Sequence, residues 1–377
     1  MVKSGMVGLA VAIPSTEVQM SWMHTRNLYA WIFNTGRGLA ICLRLPNNRG
    51  ILYDLGRSDD FSPCDFVRKH IAPHLKGDGQ WKISQCVMSH PHADHITEVD
   101  EILPAAGRFM RPLNPSFITC PNDKSQAEGL DFGRIQREDN IELIKKYRLS
   151  YQGRQWPLQT ITRGEYEPET AGFEYGLYYM RPPMVNVIHD ASDQHYGNGV
   201  SLVLYVRYGD MSMLLPGDIT PEIMRDVLDD GDMIEKRYSL FYDGNQAREH
   251  GWHRTRSSQP GLRNLLAQRG LSVLVAPHHG LESCHSVELF DAIRGGKPLI
   301  NVISEKPKKA DTDGDVHQRY QGEDGAVGLN VDIEREIQFR YSVSTKNGHH
   351  ILVVMREAQS TPGIYLRKKP EDLLNIE

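Results

Sequence analysis

The chain holds 377 residues, 40% apolar and 24% charged, which is enough to bury the core of one large domain or two modest ones and excludes a disordered tail. Its 43 lysines and arginines against 48 aspartates and glutamates leave a net charge of −5, which excludes generalised polyanion binding through bulk charge. No apolar run reaches the ~20 residues of a membrane span, and the scattered Cys42, Cys64, Cys86, Cys120 and Cys284 lack CxxC spacing, so neither a disulfide framework nor a cysteine zinc knuckle is indicated and a cytoplasmic location is expected.

In chain order, residues 1–27 read as an N-terminal extension: Lys3 and the apolar stretch 6–13 only faintly imitate an export leader, the apolar part lying at the lower limit of length. Strands over 28–33 and 39–45 meet at Asn34-Thr35-Gly36-Arg37-Gly38 and predict a hairpin. A strand over 50–54 ends at Leu55-Gly56, and a helix is expected over 65–75 with Pro73 near its end. The strand 82–89 runs into Ser89-His90-Pro91-His92-Ala93-Asp94-His95, followed by a helix over 96–103. From 104 to 197 periodicity is poor and proline and glycine are frequent, so this stretch reads as an insertion with little regular structure. Runs at 200–208 and 211–215 around Gly209-Asp210 predict a second hairpin, which stops at Pro216-Gly217-Asp218. Thr220-Pro221-Glu222 then opens a helix, with threonine as N-cap and proline at its first position. A polar insertion over 229–260 precedes a helix over 262–268 and a buried strand over 271–276 that ends at Pro277-His278-His279-Gly280. A strand over 298–304 leads into a glycine- and charge-rich loop, 306–315, and the tail 321–377 carries strands at 336–343 and 350–355. The order predicts an α/β sandwich over 28–320, with the tail as a β segment packed on the same domain.

His90, His92, Asp94 and His95 fit H-x-H-x-D-H directly after a strand. Imidazole and carboxylate are ligands that zinc or manganese prefers, and a tight loop lets successive side chains reach two adjacent ions. Two ions about 3.5–4 Å apart can clamp a bridging hydroxide, a nucleophile at neutral pH. The bland alternative is a polar loop whose histidines merely cap the next helix. Asp218 and the pair His278-His279 weigh against it, because each also lies just past a buried strand, where sites form in α/β sheets.

On these residues the chain resembles the metallo-β-lactamase superfamily, and within it the ComEC-like metallohydrolase and phosphorylcholine-esterase subgroup. The shared phrases run in order: Gly36-Arg37-Gly38-Leu39-Ala40, Leu52-Tyr53-Asp54-Leu55-Gly56, the histidine motif, Asn198-Gly199-Val200-Ser201-Leu202, Leu214-Leu215-Pro216-Gly217-Asp218, Pro277-His278-His279-Gly280 and Val302-Ile303-Ser304. The resemblance implies an αββα sandwich, two mixed sheets flanked by helices, holding two divalent ions, Zn or Mn. It implies His90 and His92 on one ion, Asp94 and His95 on the other, Asp218 bridging, and His279 completing the second shell. Asp94 and His278 are then the catalytic candidates, His278 facing the substrate because neighbouring side chains diverge. Asn198 stands where many members place a histidine, with His189 and His195 nearby. Asn198, Ser201 and, in place of a late family histidine, His317 and Tyr320 are the substrate-binding candidates. Asp54 reads equally as a carboxylate orienting the metal loop or as a turn former. His24, His70, His74, His285, His349 and His350 fit no pattern, and Cys86 reads as a buried small hydrophobe.

Between Asp218 and His278 lies a second cluster: Lys236, Arg237, Arg248, His250, Trp252, His253, Arg254 and Arg256, interleaved with Tyr238, Phe241 and Tyr242. Basic and aromatic residues together suit a phosphodiester backbone and stacked bases, although a solvated loop beside Asp229, Asp230, Asp232 and Glu235 is the plain alternative. His95 in the motif and the missing leader disfavour secreted β-lactamases, Asn198 disfavours glyoxalase-type thioesterases, and the spacing from Asp218 to His278 is too short for the inserted domain of RNA-processing nucleases. The expected activity is therefore metal-dependent phosphodiester hydrolysis, with a nuclease foremost. A phosphorylcholine-esterase-like phosphodiesterase or a lactonase is the alternative, and a non-catalytic regulatory module stands behind both. Nucleic acid is the expected partner and a membrane is not; a homo-oligomer or a partner protein is left open.

Overall fold

The computed structural model describes residues 26–76, 83–103, 113, 115, 117–122, 130–135, 141–151, 173–180, 182–189, 195–228, 261–305 and 315–376. The extension 1–27, apart from its last two residues, lies outside them, as do the polar insertion 229–260 and nearly all of the loop 306–315.

Side chains alternate along β1 (Leu28–Ile32), so Leu28, Ala30 and Ile32 face one way and Tyr29 and Trp31 the other, and all five are buried. A strand apolar on both faces must lie between two layers. One face joins an apolar cluster with Met211, Met213 and Leu215 of β8 (Met211–Leu215) and Val273 and Val275 of β9 (Val273–Val275). The other joins Phe66, Val67 and Ile71 of the helical stretch that starts at Pro63–Phe66 and continues through Val67–Ile71 and Ala72–His74. The molecule is thus a mixed α/β structure of two sheets packed face to face, with helices on their outer sides.

The remaining strands are β2 (Ile41–Arg44), β3 (Gly50–Tyr53), β4 (Ile83–Val87), β5 (Phe117–Thr119), β6 (Phe173–Tyr178), β7 (Val203–Tyr208), β10 (Ile300–Ile303), β11 (Leu329–Ile333), β12 (Glu336–Arg340), β13 (Ser342–Ser344), β14 (His350–Met355) and β15 (Gly363–Arg367). The first sheet is nine-stranded, in the order β12-β11-β15-β14-β1-β2-β3-β4-β5, and the second six-stranded, β13-β10-β9-β8-β7-β6. β3, β4 and β5 run parallel, as do β8, β9, β10 and β13, so each sheet sends parallel strand ends to one rim. Outside the second sheet the helices Pro221–Leu228, Leu262–Arg269 and Val287–Ala292 pack on one another through Ile223, Met224, Leu266, Leu289 and Phe290.

Both expected hairpins form, β1 with β2 and β7 with β8. Other expectations need correction. The stretch 104–197 holds β5, β6 and the helix Ile141–Tyr151, in which apolar Ile144, Tyr147 and Tyr151 share one buried face. The helix expected over 96–103 is two short turns, Ala93–Ile96 and Val99–Ile102. Glu98 interrupts it: its backbone N–H donates to the Leu55 carbonyl and its carboxylate accepts from the Cys64 N–H at 2.8 Å. The strand expected over 336–343 splits at Tyr341 into β12 and β13, which belong to different sheets. Among the described residues no helix is long and apolar enough to cross a membrane.

Candidate metal centre

Five strand ends meet at the rim. β3 ends before Asp54, β4 before Ser89 and His90, β8 before Asp218, β9 before His278 and His279, and β10 before Ser304. Asp54 adopts the left-handed conformation, φ 59°, which turns its carboxylate back under the loop after β4. There one oxygen accepts from the Ser89 N–H at 2.6 Å, and the other from the Ser89 hydroxyl at 2.7 Å and from His95 Nδ1 at 2.8 Å. Because the Ser89 hydrogen is committed to Asp54, its oxygen accepts from His90 Nδ1 at 3.0 Å. His279 Nδ1 donates to the Ser304 carbonyl, 2.8 Å away, and the Ser304 hydroxyl to the Gly38 carbonyl, also at 2.8 Å. In all three rings Nδ1 is the donor to the group behind it, so Nε2 is the atom turned to the rim.

Those three Nε2 atoms, of His90, His95 and His279, are buried and have no hydrogen-bond partner among the described residues. They surround two carboxylates. His95 Nε2 lies 3.2 Å and His90 Nε2 3.8 Å from Asp218, while His279 Nε2 lies 3.5 Å from Asp94 and 4.0 Å from Asp218. Two ligand groupings result, His90-His95-Asp218 and Asp94-His95-His279, with donor atoms inside each within 4.8 Å of one another. Buried polar atoms are normally paired, so three orphaned nitrogens beside two carboxylates fit a divalent cation that prefers imidazole and carboxylate, such as zinc or manganese.

Electrostatics follow from burial and from this crowding. Burial drives the His90 pKa well below its ordinary value, and the neighbouring His95 and His92 push the same way. Burial also opposes a charge on His95, but Asp218 and Asp54 outweigh it and hold that pKa well above the usual range. For Asp218 burial favours the neutral acid, yet His95, His278 and His279 overcome it and keep the carboxyl well below the usual carboxylate range. Asp94 is lowered in the same way, against burial, by His279 and His95.

His92 stands outside both groupings. Its ring lies 4.6 Å from that of His90, and burial lowers its pKa to about 4. Gly197 sits so close that a β carbon there would come within 2.2 Å of His92 Nε2. Gly38 and Gly56 are equally constrained: β carbons there would meet the Asp94 carbonyl oxygen at 2.2 and 2.4 Å. Gly38 and Gly56 let the loop after β4 close onto the ends of β2 and β3.

The adjacent histidines have opposite surroundings. Both are left-handed, His278 at φ 47° and His279 at φ 59°, and it is this pair of αL residues, not strand alternation, that splays their rings. His278 Nδ1 lies 3.0 Å from Cys284 Sγ, and burial pushes the Cys284 thiol up to about 12, so the thiol keeps its proton and can donate it to Nδ1, the arrangement that leaves a proton on His278 Nε2. That Nε2 lies 3.6 Å from Asp218. His279 therefore offers a lone pair and His278 a hydrogen.

The other candidates are dispersed. Asn198 is buried in the turn Tyr196–Gly199 with its side-chain oxygen unpartnered. Ser201 is fully buried and accepts from the Asp218 N–H at 3.2 Å, so it positions that aspartate and is closed to substrate. Tyr320 is also fully buried, its hydroxyl 3.5 Å from the Cys284 carbonyl, and supports the loop from behind. His317 stacks on His285 at 3.9 Å and accepts from the Arg319 N–H, capping a short helix. Asp54 is both turn former and holder of His95. The basic and aromatic cluster over 236–256 lies outside the described residues. Sequence reasoning missed Cys284 as a partner of His278 and the Ser304 carbonyl as the partner of His279; no pattern marks the cysteine, although Ser304 closes the last shared phrase. No protein-family model matches the chain, and no curated protein matches it as a relative.

Proposed function

We propose that this chain is a metal-dependent phosphodiester hydrolase, a nuclease with the metallo-β-lactamase sandwich fold. The observation that carries the reading is the convergence of the buried, unpartnered Nε2 atoms of His90, His95 and His279 on Asp218 and Asp94. Two mixed sheets with helices outside them, and ligand candidates just past parallel strand ends, support the fold assignment. His90 and Asp218 would hold one ion, with His92, outside the groupings but beside the His90 ring, the nearest further imidazole, and Asp94, His95, His279 and Asp218 would hold the other. When bound, such ions make water acidic and neutralise phosphoryl charge. The chain's own residues supply the rest. Asp54, Ser89 and Ser304 fix the imidazole tautomers, and Asp218 is anchored by Ser201. His278 Nε2–H is a donor for a phosphoryl oxygen. Asp94, whose side chain is 35% exposed, is the carboxylate most open to a proton from the attacking water. The preference for nucleic acid rests on the composition of 236–256.

Metal analysis of the purified protein, with hydrolysis of a chromogenic phosphodiester, DNA and RNA in zinc or manganese, tests the reading. Up to two ions per chain are expected, and Asp218→Ala should abolish hydrolysis of every substrate. A metal-free protein whose activity survives chelator would overturn it, and turnover of the small ester with both polymers untouched would move the substrate to small phosphodiesters.

A further inference from the structure

We propose that the chain forms a twofold-symmetric homodimer by antiparallel pairing of β12 with β12 of a second copy, joining two nine-stranded sheets edge to edge. The inference is independent of the catalytic reading. β12 is the outermost strand of its sheet, and among the described residues no strand lies beyond it. Edge strands are normally blunted by proline, lysine, a bulge or inward charge. β12 has no proline or lysine and pairs with β11 in unbroken register from Ile333↔Glu336 to Leu329↔Arg340. Its apolar side chains are bare instead: Ile337 is 68% and Phe339 53% exposed, on one face of the strand. Phe339 lies across Gly328, where a β carbon would come within 2.2 Å of the ring, and Val327 beside it is 51% exposed. Three large apolar side chains therefore border an open ladder edge.

The sequence Glu336-Ile337-Gln338-Phe339-Arg340 identifies the occupant as the strand itself. Reversed about Gln338, it is complementary to itself. Antiparallel pairing centred there sets Glu336 opposite the partner's Arg340, Ile337 opposite the partner's Phe339, and Gln338 opposite its own counterpart, whose carboxamide both donates and accepts. Opposite charges and aromatic with β-branched residues are the stabilising cross-strand pairs, and like charges directly opposite are destabilising. Parallel in-register pairing would set glutamate on glutamate and arginine on arginine. Among the described residues Glu336 has no ion-pair partner, and the Arg340 side chain hydrogen-bonds only within its own strand, to the Gln338 side chain and the Phe339 carbonyl. The β11–β12 turn is only Glu334-Arg335, both left-handed at φ 50° and 72°, so it is too tight to fold back over the edge.

The test uses the full chain and sedimentation velocity over a micromolar concentration series, with circular dichroism to verify folding of each variant. The wild type should sediment as a dimer. Glu336→Arg and Arg340→Glu each place two like-charge pairs across the ladder and should raise the dimer dissociation constant by about tenfold or more. The double variant restores complementarity and should regain the wild-type constant. Mixing the two single variants should give a heterodimer tighter than either homodimer. A monomeric wild type overturns the proposal, as does a dimer unaffected by the single changes, which would place the interface elsewhere. Loss in the single variants without rescue in the double, or without heterodimer formation, overturns the antiparallel register.

Discussion

At the scale of single residues, the rim is organised by what sits behind each imidazole. His90, His95 and His279 all donate from Nδ1, to a serine hydroxyl, a carboxylate and a backbone carbonyl, so each turns Nε2 inward. His95 differs in charge. Asp218 and Asp54 hold its pKa well above the ordinary value, so without metal it is a cation at neutral pH, and a bound cation must displace its Nε2 proton. Zinc binding should release about one proton near pH 7 and weaken as pH falls through the titration of this group. Calorimetry in buffers of different ionisation enthalpy reads the proton directly; release of none would mean His95 is already neutral. The adjacent pair gives a second prediction. His279→Ala should lower metal content, whereas His278→Ala should retain metal and lose ~10²-fold in turnover, as for a missing transition-state donor. Cys284→Ala, which frees His278 Nδ1 from its thiol, should share the turnover defect in part and leave metal content intact, while Cys284→Ser, which keeps a donor, should not. The reverse pattern at 278 and 279 would exchange their roles.

At the scale of elements, the loops work because glycines let backbones touch. Gly38 lies under the Asp94 carbonyl, and the neighbouring Leu39 N–H donates to that same oxygen at 3.3 Å. In Gly38→Ala the new β carbon would overlap backbone, which cannot swing aside like a side chain. The loop must lift, and both metal content and Tm should fall together; a variant with wild-type values for both would show that the loop tolerates displacement. Tyr53 makes a comparable link, its hydroxyl lying 2.8 Å from the Leu202 carbonyl and 2.9 Å from that of Leu215, which ties the end of β3 to the second sheet. The contiguous motif at 90–95 and the strand runs leading to Asp218 and His279 were legible in the sequence because ligands and strand lie within a few residues of each other. Contacts made only by folding were not. Nothing local announces that the Ser304 carbonyl backs His279, or that Cys284 faces His278. Nor was β6 legible: its run Phe173–Tyr178 has a glycine inside it, and its stability comes from pairing along its full length with β7. The left-handed backbone of two successive histidines was equally hidden, because a positive φ at a non-glycine residue is imposed by tertiary packing, not by residue type.

At the scale of the whole molecule, the site lies across the seam of the two sheets. His90, Asp94 and His95 follow β4 of the nine-stranded sheet, whereas Asp218 and His279 follow β8 and β9 of the six-stranded one. The tail spans the same seam at the chain's other end. β13 closes the second sheet against β10, and β14 is inserted between β1 and β15 in the first, so the second sheet is complete only at residue 344 and the first only at residue 367. An ion shared by ligands from both sheets would act as a clamp between them, and a ligand that binds only the folded state stabilises by about 2.7 kcal/mol at a hundredfold excess over its Kd. Chelation should therefore lower Tm by about 3 °C, and re-addition of zinc or manganese should restore it. The shift should vanish in His279→Ala, which takes the ligand from the second sheet, and in His95→Ala, which takes it from the first. It should persist in His285→Ala, whose ring stacks on His317 and belongs to neither ligand grouping. Hydrogen exchange gives the spatial test: removal of metal should accelerate amides at the ends of β4, β8 and β9 and leave the β1–β14 ladder unchanged. Uniform acceleration across both sheets, or an equal Tm shift in all three variants, would show that metal acts on the chain elsewhere than at the seam.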